Sequence, residues 1–316
     1  MRETETAPAA SRMEQTRRAV SPVEDPDRAR ICVGIPTLGR PLQIQSVVEH
    51  LHKQTLPAEA IIVSCADRGD VGDLEAGDRL RILMGGAGLA RQRNVILDNL
   101  PPSGEFVAFF DDDFYPHDDW LRVAGETFRT DPTVVCVTGN VVADGICGPG
   151  LTKDDAADAL ESASPATQSW VIDGYSPYGC NMAFRLSAIE GLRFDERLVL
   201  YGWLEDRDFG ARVAKGGGRL VKLGAAIGVH LGVKGGRVSG RRLGYSQVMN
   251  PYYMHSKRTM TKGDALRQAL RNITANVTKS LWPEPYIDRR GRLFGNAIAI
   301  GDILAGRCNP ELAERL

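Results

Sequence analysis

The stretch from Phe106 to Asp113 (FVAFFDDD) decides the fold, because an apolar run of strand length ends directly in three carboxylates. Nearly continuous apolar runs are typical of strands that are covered on both faces. Similar runs occur at residues 31–35, Ala60–Cys65, Leu80–Met84 and 134–138, and helical apolar patterns separate them at residues 42–54, 89–100 and 120–128. This alternation predicts an α/β fold with an open, mostly parallel sheet, flanked by helices and joined by right-handed crossovers.

Both ends of the chain differ from this alternating region. Residues 1–29 are rich in Glu, Ala, Pro and Arg and lack an apolar core, which predicts a disordered N-terminal tail and no secretory signal. Residues 30–243, which include the alternating pattern at about residues 31–138, are predicted to form the main domain. Residues 244–316 are predicted to form a C-terminal helical extension. Its longest apolar stretch, at residues 294–305, is too short to span a bilayer.

The composition argues against several classes of protein. The 316 residues are 43% hydrophobic and 25% charged, as in ordinary folded proteins. The formal net charge is −1, so no global field attracts the chain to nucleic acid, and no nucleic-acid partner is predicted. The six cysteines form no C-x-x-C pair and are interpreted as reduced and structural. A reducing compartment and the missing signal together predict a cytoplasmic location.

The acidic triplet Asp111, Asp112 and Asp113 is the strongest functional signal. Adjacent carboxylates repel one another, and a divalent cation removes that cost. Mg²⁺ and Mn²⁺ prefer oxygen ligands and are usually held by one or two carboxylates together with substrate phosphates. In parallel sheets, ligands bind at the carboxyl ends of the strands. The triplet therefore predicts a metal and diphosphate site, the alternative being a solvated acidic turn.

Two later segments carry groups that suit the same chemistry. Glu205 and Asp206 are framed by apolar residues, and a carboxylate at a helix start can accept a proton from an acceptor hydroxyl. The alternative is a helix cap with an Asp208–Arg212 pair. His230 ends an apolar run, and imidazole suits Mn²⁺. A histidine in that position is otherwise an ordinary core or surface residue.

Two loops follow predicted strands and precede predicted helices. Pro36 and Gly39 make a turn in which Thr37 and backbone amides are placed to hold a nucleotide base or phosphate. The glycines at 85, 86 and 88 permit close backbone approach, and Arg91 lies within reach of a diphosphate. A plain strand–helix connection is the alternative for each loop.

In this order, the motifs resemble the family 2 glycosyltransferases of the GT-A fold, over about residues 31–230. The opening strand and its Pro-Thr-x-x-Arg turn match residues 31–40, and Phe109–Asp113 is similar to the family's F-L-D-x-D motif. Residues 88–94 are similar to G-x-A-x-A-R-N, with Arg91 or Arg93 as the arginine and Asn94 as the asparagine. Residues 194–196 resemble F-D-E, and Glu205-Asp206 resembles the E-D catalytic motif.

The resemblance implies a GT-A-type, Rossmann-like domain that moves a sugar from a UDP-, dTDP- or GDP-linked donor, with Mn²⁺ or Mg²⁺. Its acceptor would be a glycan, a lipid-linked molecule or a small molecule, as in polysaccharide biosynthesis. Asp206 would be the general base of an inverting displacement, next to Glu205. The implied metal residues are Asp111, Asp113 and His230, and the implied nucleotide-sugar residues are Pro36, Thr37, Arg40, Asp67, Arg91, Asn94, Asp111 (at the ribose) and Asp112.

The chain departs from the family at two places. The family's second strand usually ends in Asp-Asp-Gly-Ser, whereas here the run is Ser64-Cys65-Ala66-Asp67, so Asp67 alone remains to read the base. Residues 252–257 match the family's late arginine–asparagine pair only loosely. Two other functions remain open: a sugar-phosphate nucleotidyltransferase, and a non-catalytic protein that binds nucleotide sugars.

The C-terminal extension contains one further pattern. Leu266, Leu270, Ile273, Val277 and Leu281 share one face of a predicted helix at residues 264–281, with basic residues beside them. This stripe is interpreted as packing on the chain's own core or on a second subunit of a homo-oligomer. The alternative is a peripheral contact with the inner face of the membrane.

Overall fold

The computed structural model describes residues 28–235 and 238–316, so the N-terminal tail predicted at residues 1–29 lies almost entirely outside the described residues. Nine strands are present in the described part: β1 (Ile31–Pro36), β2 (Ala60–Cys65), β3 (Leu80–Met84), β4 (Phe106–Phe110), β5 (Phe114–Pro116), β6 (Val134–Asp144), β7 (Val171–Asp173), β8 (Asn181–Arg185) and β9 (Arg219–His230). The α-helices are α1 (Pro41–Leu51), α2 (Leu89–Asp98), α3 (Trp120–Thr130), α4 (Lys153–Ser162), α5 (Glu205–Lys215), α6 (Gly240–Ser256), α7 (Lys262–Lys279) and α8 (Arg289–Leu304).

The strands form one sheet of order β3-β2-β1-β4-β8-β6-β9-β5, with β7 paired to β9. The pairs β1–β2, β2–β3, β1–β4 and β6–β9 are parallel. Strand β8 runs antiparallel to both β4 and β6, so β6 points in the same direction as β4. Most of the sheet is therefore parallel, which confirms the predicted fold class.

Apolar side chains cover both faces of the sheet. One core cluster contains Ile35, Val47 and Phe110, and a second on the other face contains Ile62, Phe109 and Phe209. Phe109 and Phe110 are adjacent in β4 and point to opposite faces, because side chains alternate along a strand. The continuous apolar runs are thus explained, since β1, β2 and β4 are buried over their whole length.

The C-terminal segment forms three packed helices, α6, α7 and α8. A separate apolar cluster joins them to the end of the main domain and includes Val199, Tyr245, Met249 and Ala299. Helix α6 was not predicted as a separate helix, because the Gly- and Arg-rich residues 233–242 show no helical pattern. Since α6 begins at Gly240, the predicted domain boundary at residue 243 falls within its first turn. None of the helices in the described residues has both the length and the apolar character needed to cross a bilayer.

Candidate active site

Three predicted metal residues come together at the end of β4 and β9. Asp111, Asp113 and His230 each offer one ligand atom, and these atoms all lie within 4.8 Å of one another. Strands β5 and β9 pair with Phe114 opposite His230, and this register carries the imidazole to the acidic loop. Asp113 is 2% exposed and Asp111 is partly exposed, so one buried and one half-buried carboxylate face a buried imidazole. Two oxygens and one nitrogen are a donor set that suits Mn²⁺.

The imidazole of His230 is held in one orientation. Its Nε2 lies 3.3 Å from Asp113, while its Nδ1 lies 3.0 Å from Asp144 at the end of β6. Asp144 also accepts hydrogen bonds from the Tyr178 hydroxyl, at 2.9 Å, and from the backbone N–H of Ile146, at 3.0 Å. Histidines that bind metals usually donate the other ring N–H to a carboxylate in this way. The residues present therefore fit a divalent cation at Nε2.

The neighbouring carboxylates favour the protonated form of the His230 imidazole. Burial disfavours the imidazolium, but hydrogen bonds to Asp113 and Asp144 outweigh it and raise the pKa of His230 to about 10. Burial likewise opposes ionisation of Asp113, yet the hydrogen bond from His230 lowers its pKa below the usual value. A proton on His230 thus offsets part of the negative charge of the carboxylates around it.

Asp112 is not one of the three grouped metal residues, and its carboxylate contacts the loop that follows β1. Its carboxylate accepts a hydrogen bond from the Thr37 hydroxyl at 2.7 Å and pairs with Arg40 at 2.7 Å. Arg40 also lies 3.5 Å from Asp113. Burial raises the pKa of Asp112 to about 6 despite the arginine. Thr37 and Arg40 therefore lie beside the acidic loop, and both bind protein groups here. Their predicted contact with a nucleotide stays a prediction.

Glu205 and Asp206 open α5 and have different surroundings. Glu205 is 3% exposed and pairs with Arg93, and burial raises its pKa to about 8. Asp206 is half-buried, and its two oxygens accept backbone N–H groups from Gly179, at 2.8 Å, and Arg207, at 2.7 Å. Burial raises the pKa of Asp206 as well. Asp206 is thus the carboxylate of the pair that reaches solvent.

Arg93 links the helix-start pair to the metal group. Its guanidinium is fully buried, pairs with Glu205, lies 3.3 Å from Asp111 and donates to the carbonyl of Gly179 at 2.8 Å. The resemblance offered either Arg91 or Arg93 for this part of α2, and the nucleotide-sugar role was given to Arg91. The structure places Arg91 on the outside, 44% exposed and 3.4 Å from Glu196. A contact between Arg91 and a diphosphate stays a prediction.

Other predicted site residues are placed as follows. Asn94 is buried, and its amide bonds to the backbone of Phe194 in both directions and to Glu196. Its hydrogen-bonding groups are therefore engaged within the protein, and its contact with a nucleotide sugar stays a prediction.

Asp67 follows β2 and accepts a hydrogen bond from the N–H of Gly69 at 2.7 Å. Pro36 ends β1. The alternative ion pair between Asp208 and Arg212 is also present, at 3.2 Å.

Sequence reasoning missed Asp144 and Tyr178, and it left Arg93 as a second choice. Asp144 was missed because the strand was expected to end at residue 138, whereas β6 continues to Asp144. A carboxylate at the end of a parallel strand was the available signal. Arg93 lies on the buried face of α2, together with Ala90 and Asn94 at helical spacing. That spacing was the signal that could have distinguished Arg93 from the exposed Arg91.

By sequence, no family model and no curated protein matches the chain. Solved structures match it in fold. The mannosyltransferase PcManGT from Pyrobaculum calidifontis, solved in complex with GDP-Man and Mn²⁺, has a TM-score of 0.50 and 18% identity, covering 88% of this chain and 81% of that one. S. aureus TarS 1-349 has a TM-score of 0.52 and 16% identity, covering 91% and 83%. The chain therefore has the GT-A-type fold of these glycosyltransferases.

Proposed function

We propose that the chain is a metal-dependent glycosyltransferase, similar to those of family 2, that uses a nucleotide-sugar donor. The observation that supports this best is the position of Arg93 between two acidic groups. On one side lies Asp111 of the metal group, and on the other lie Glu205 and Gly179, whose N–H binds Asp206. A metal and diphosphate site and a half-buried carboxylate thus adjoin, as transfer from a sugar diphosphate requires.

On the donor side, Asp113 and His230 would hold Mn²⁺ or Mg²⁺, and Asp111 would contact the ribose or complete the metal shell. When bound, the cation supplies positive charge to the diphosphate leaving group. Arg40, which already lies beside Asp112 and Asp113, is within reach of the same phosphates. Thr37 and Asp67 follow β1 and β2 and would face the base, because ligands of such sheets bind beyond the carboxyl ends of the strands.

On the acceptor side, Asp206 acts as the general base. Its carboxylate takes the proton of an acceptor hydroxyl while that oxygen bonds to the anomeric carbon. The bond between that carbon and the diphosphate oxygen breaks, and its electron pair leaves with the nucleoside diphosphate. A single displacement inverts the anomeric configuration. Glu205 has a different role, since its carboxyl group is bonded to the buried Arg93.

The nature of donor and acceptor follows from resemblance. PcManGT was solved with GDP-Man and Mn²⁺, which supports a GDP-sugar with Mn²⁺ as the first combination to try, ahead of UDP- and dTDP-sugars. The acceptor is a glycan, a lipid-linked molecule or a small molecule.

Thermal unfolding in the presence of each donor tests this proposal. Ligands that bind only the folded state raise the melting temperature by mass action. We expect GDP-, UDP- or dTDP-sugars to raise it with Mn²⁺ present and to have little effect with EDTA, and we expect Asp113→Ala to lose the Mn²⁺-dependent rise. Donor binding that ignores EDTA would reject the metal-dependent mechanism. Incorporation of a nucleotide into sugar phosphate would indicate a nucleotidyltransferase, and binding without turnover of any acceptor would indicate a non-catalytic binder.

A further inference from the structure

Helix α7 presents its apolar stripe to solvent. Leu266, Leu270 and Val277 are each about half exposed, and just beyond the end of the helix Leu281 is 67% and Trp282 is 83% exposed. The stripe was expected to pack on the chain's own core or on a second subunit. Packing on the core is wrong for all but Ile273, which contacts the apolar cluster of α6 and α8, and packing on a second subunit stays a prediction. An uncovered row of large apolar side chains costs solubility unless it has a partner.

Small and polar residues attach α7 to its neighbours instead. Ala265 and Asn276 are its buried residues. Asn276 donates to Gln247 of α6 and to Asn296 of α8, at 2.9 Å each, which fixes the rotation of the helix. These buried hydrogen bonds therefore orient α7 so that its apolar stripe faces solvent.

Charge gathers around the same helices. Residues 240–292 contain eleven Lys or Arg residues and three Asp or Glu residues, although the whole chain has 39 basic and 40 acidic residues. The excess of positive charge thus lies in the helical extension, and the rest of the chain is acidic. On α7, Arg267 and Arg271 occupy neighbouring turns directly beside Leu266 and Leu270, since residues one position apart are about 100° apart around a helix. Both arginines are exposed.

We propose that the surface made by Leu266, Leu270, Val277, Leu281 and Trp282, with Arg267 and Arg271 beside it, docks on an anionic lipid bilayer. Apolar side chains would enter the acyl boundary, and the arginines would contact anionic headgroups. Tryptophan favours this interface because its ring is apolar and its N–H is polar. The basic flank favours an anionic lipid surface over a second copy of this chain, whose identical surface would be equally positive.

Sedimentation of the full chain with sucrose-loaded vesicles tests the proposal. We expect most of the protein to pellet with phosphatidylcholine vesicles that contain about a third phosphatidylglycerol at low salt, and little with pure phosphatidylcholine. High salt should lower binding, because it screens the headgroup charge. Trp282 should show a blue-shifted emission with the anionic vesicles that Trp282→Phe removes. None of these readouts depends on glycosyl transfer, so the outcome is independent of the proposed function.

Two pairs of matched variants locate the binding surface. Leu270→Gln with Leu281→Gln, and separately Arg267→Glu with Arg271→Glu, should each lower the bound fraction at least fivefold. The controls are Leu304→Gln, at an exposed leucine of another helix, and Arg79→Glu with Arg81→Glu, an equal change in charge at β3; both should bind as the unmodified chain does. Equal binding by all variants would overturn the proposal. A chain that stays in the supernatant and sediments as a dimer dispersed by Leu270→Gln with Leu281→Gln would assign the stripe to self-association instead.

Discussion

Two groups of carboxylates adjoin at Arg93 but are neutralised differently. Glu205 and Asp206 at the start of α5 are balanced by protein groups, namely a buried guanidinium and two backbone N–H groups. Asp111 and Asp113 at the end of β4 lie beside Arg93 and Arg40, at 3.3 and 3.5 Å. They also converge on His230, whose raised pKa allows it to carry a proton. A proton is exchangeable for a cation, whereas a buried arginine is not. We therefore expect a cation to bind at the strand-end group, where a proton can leave, and not at the helix-start group.

The largest effect is expected at the helix-start group, from Asp206→Asn. An amide cannot accept the proton of an acceptor hydroxyl, so transfer should fall by roughly 10²–10⁴-fold, the usual contribution of general base catalysis. The Mn²⁺-dependent rise in melting temperature with donor should persist, because the metal group is unchanged. Steady-state transfer and thermal unfolding measure the two. Unchanged turnover would assign the base to another carboxylate and leave Asp206 as a helix-start acceptor.

Removing the link between the groups should cost stability. In Arg93→Met, Glu205 loses its partner at 3% exposure, and breaking a buried ion pair typically costs about 3–5 kcal/mol. The matched control is Arg91→Met on the same helix, where an exposed pair with Glu196 is worth about 0–1 kcal/mol. Urea unfolding of both variants measures the difference. Equal stability of the two would show that Glu205 is buried in its neutral form and needs no arginine.

The sequence predicts those parts of the fold that are decided by neighbouring residues, and it does not predict those that are decided by contacts between residues far apart in the chain. The apolar runs of β1, β2, β3 and β4 are local patterns, and their bounds agree with the structure to within one residue. The short antiparallel strands β5, β7 and β8 were missed, because their pairing is decided by distant residues. Helix α6 was missed because its glycines and Pro251 conceal a helical pattern.

The same reasoning applies to the site. Asp111, Asp113 and His230 were found because they stand where apolar strands end, which is visible locally. Which arginine turns inward is decided by tertiary packing of α2. The role of Asp144 depends on the parallel pairing of β6 with β9, whose register sets Asp144 opposite His230. Long-range register of this kind is not encoded in the residues near either position.

The orientation of His230 gives a smaller, graded effect. Asp144→Asn replaces the carboxylate that holds Nδ1 at 3.0 Å, and losing such a partner usually costs 10–100-fold in metal affinity. Titration of Mn²⁺, followed by calorimetry, measures the change. The control is Asp173→Asn, at an exposed carboxylate that pairs with Arg219, which should bind Mn²⁺ as the unmodified chain does. Full affinity in Asp144→Asn would argue that Asp111 and Asp113 bind the metal without an oriented imidazole.

The smallest expected effect, and the most direct contrast between the two groups, is a dependence on pH. Hydrogen bonds to Asp113 and Asp144 overcome burial and raise the pKa of His230 to about 10, from 6.5. Without metal, this stabilisation is fully present below pH 6.5 and is lost as the pH rises through 10. With metal, the proton must leave, because a metal ligand must be deprotonated.

Mn²⁺ affinity should therefore rise about tenfold per pH unit between pH 6 and 8, which corresponds to about 1.4 kcal/mol per pH unit for the one proton displaced. Melting temperatures should diverge over the same range. In EDTA they should fall as the pH rises above 6.5, whereas in saturating Mn²⁺ they should stay nearly constant, because neither the metal-bound nor the unfolded chain then carries the proton. His230→Gln removes the titrating group and should flatten the slope of Mn²⁺ affinity, while Asp206→Asn should retain it, because the helix-start group exchanges no proton for the cation. A slope that survives in His230→Gln would mean that another group loses the proton, and the assignment of His230 as a ligand would fail.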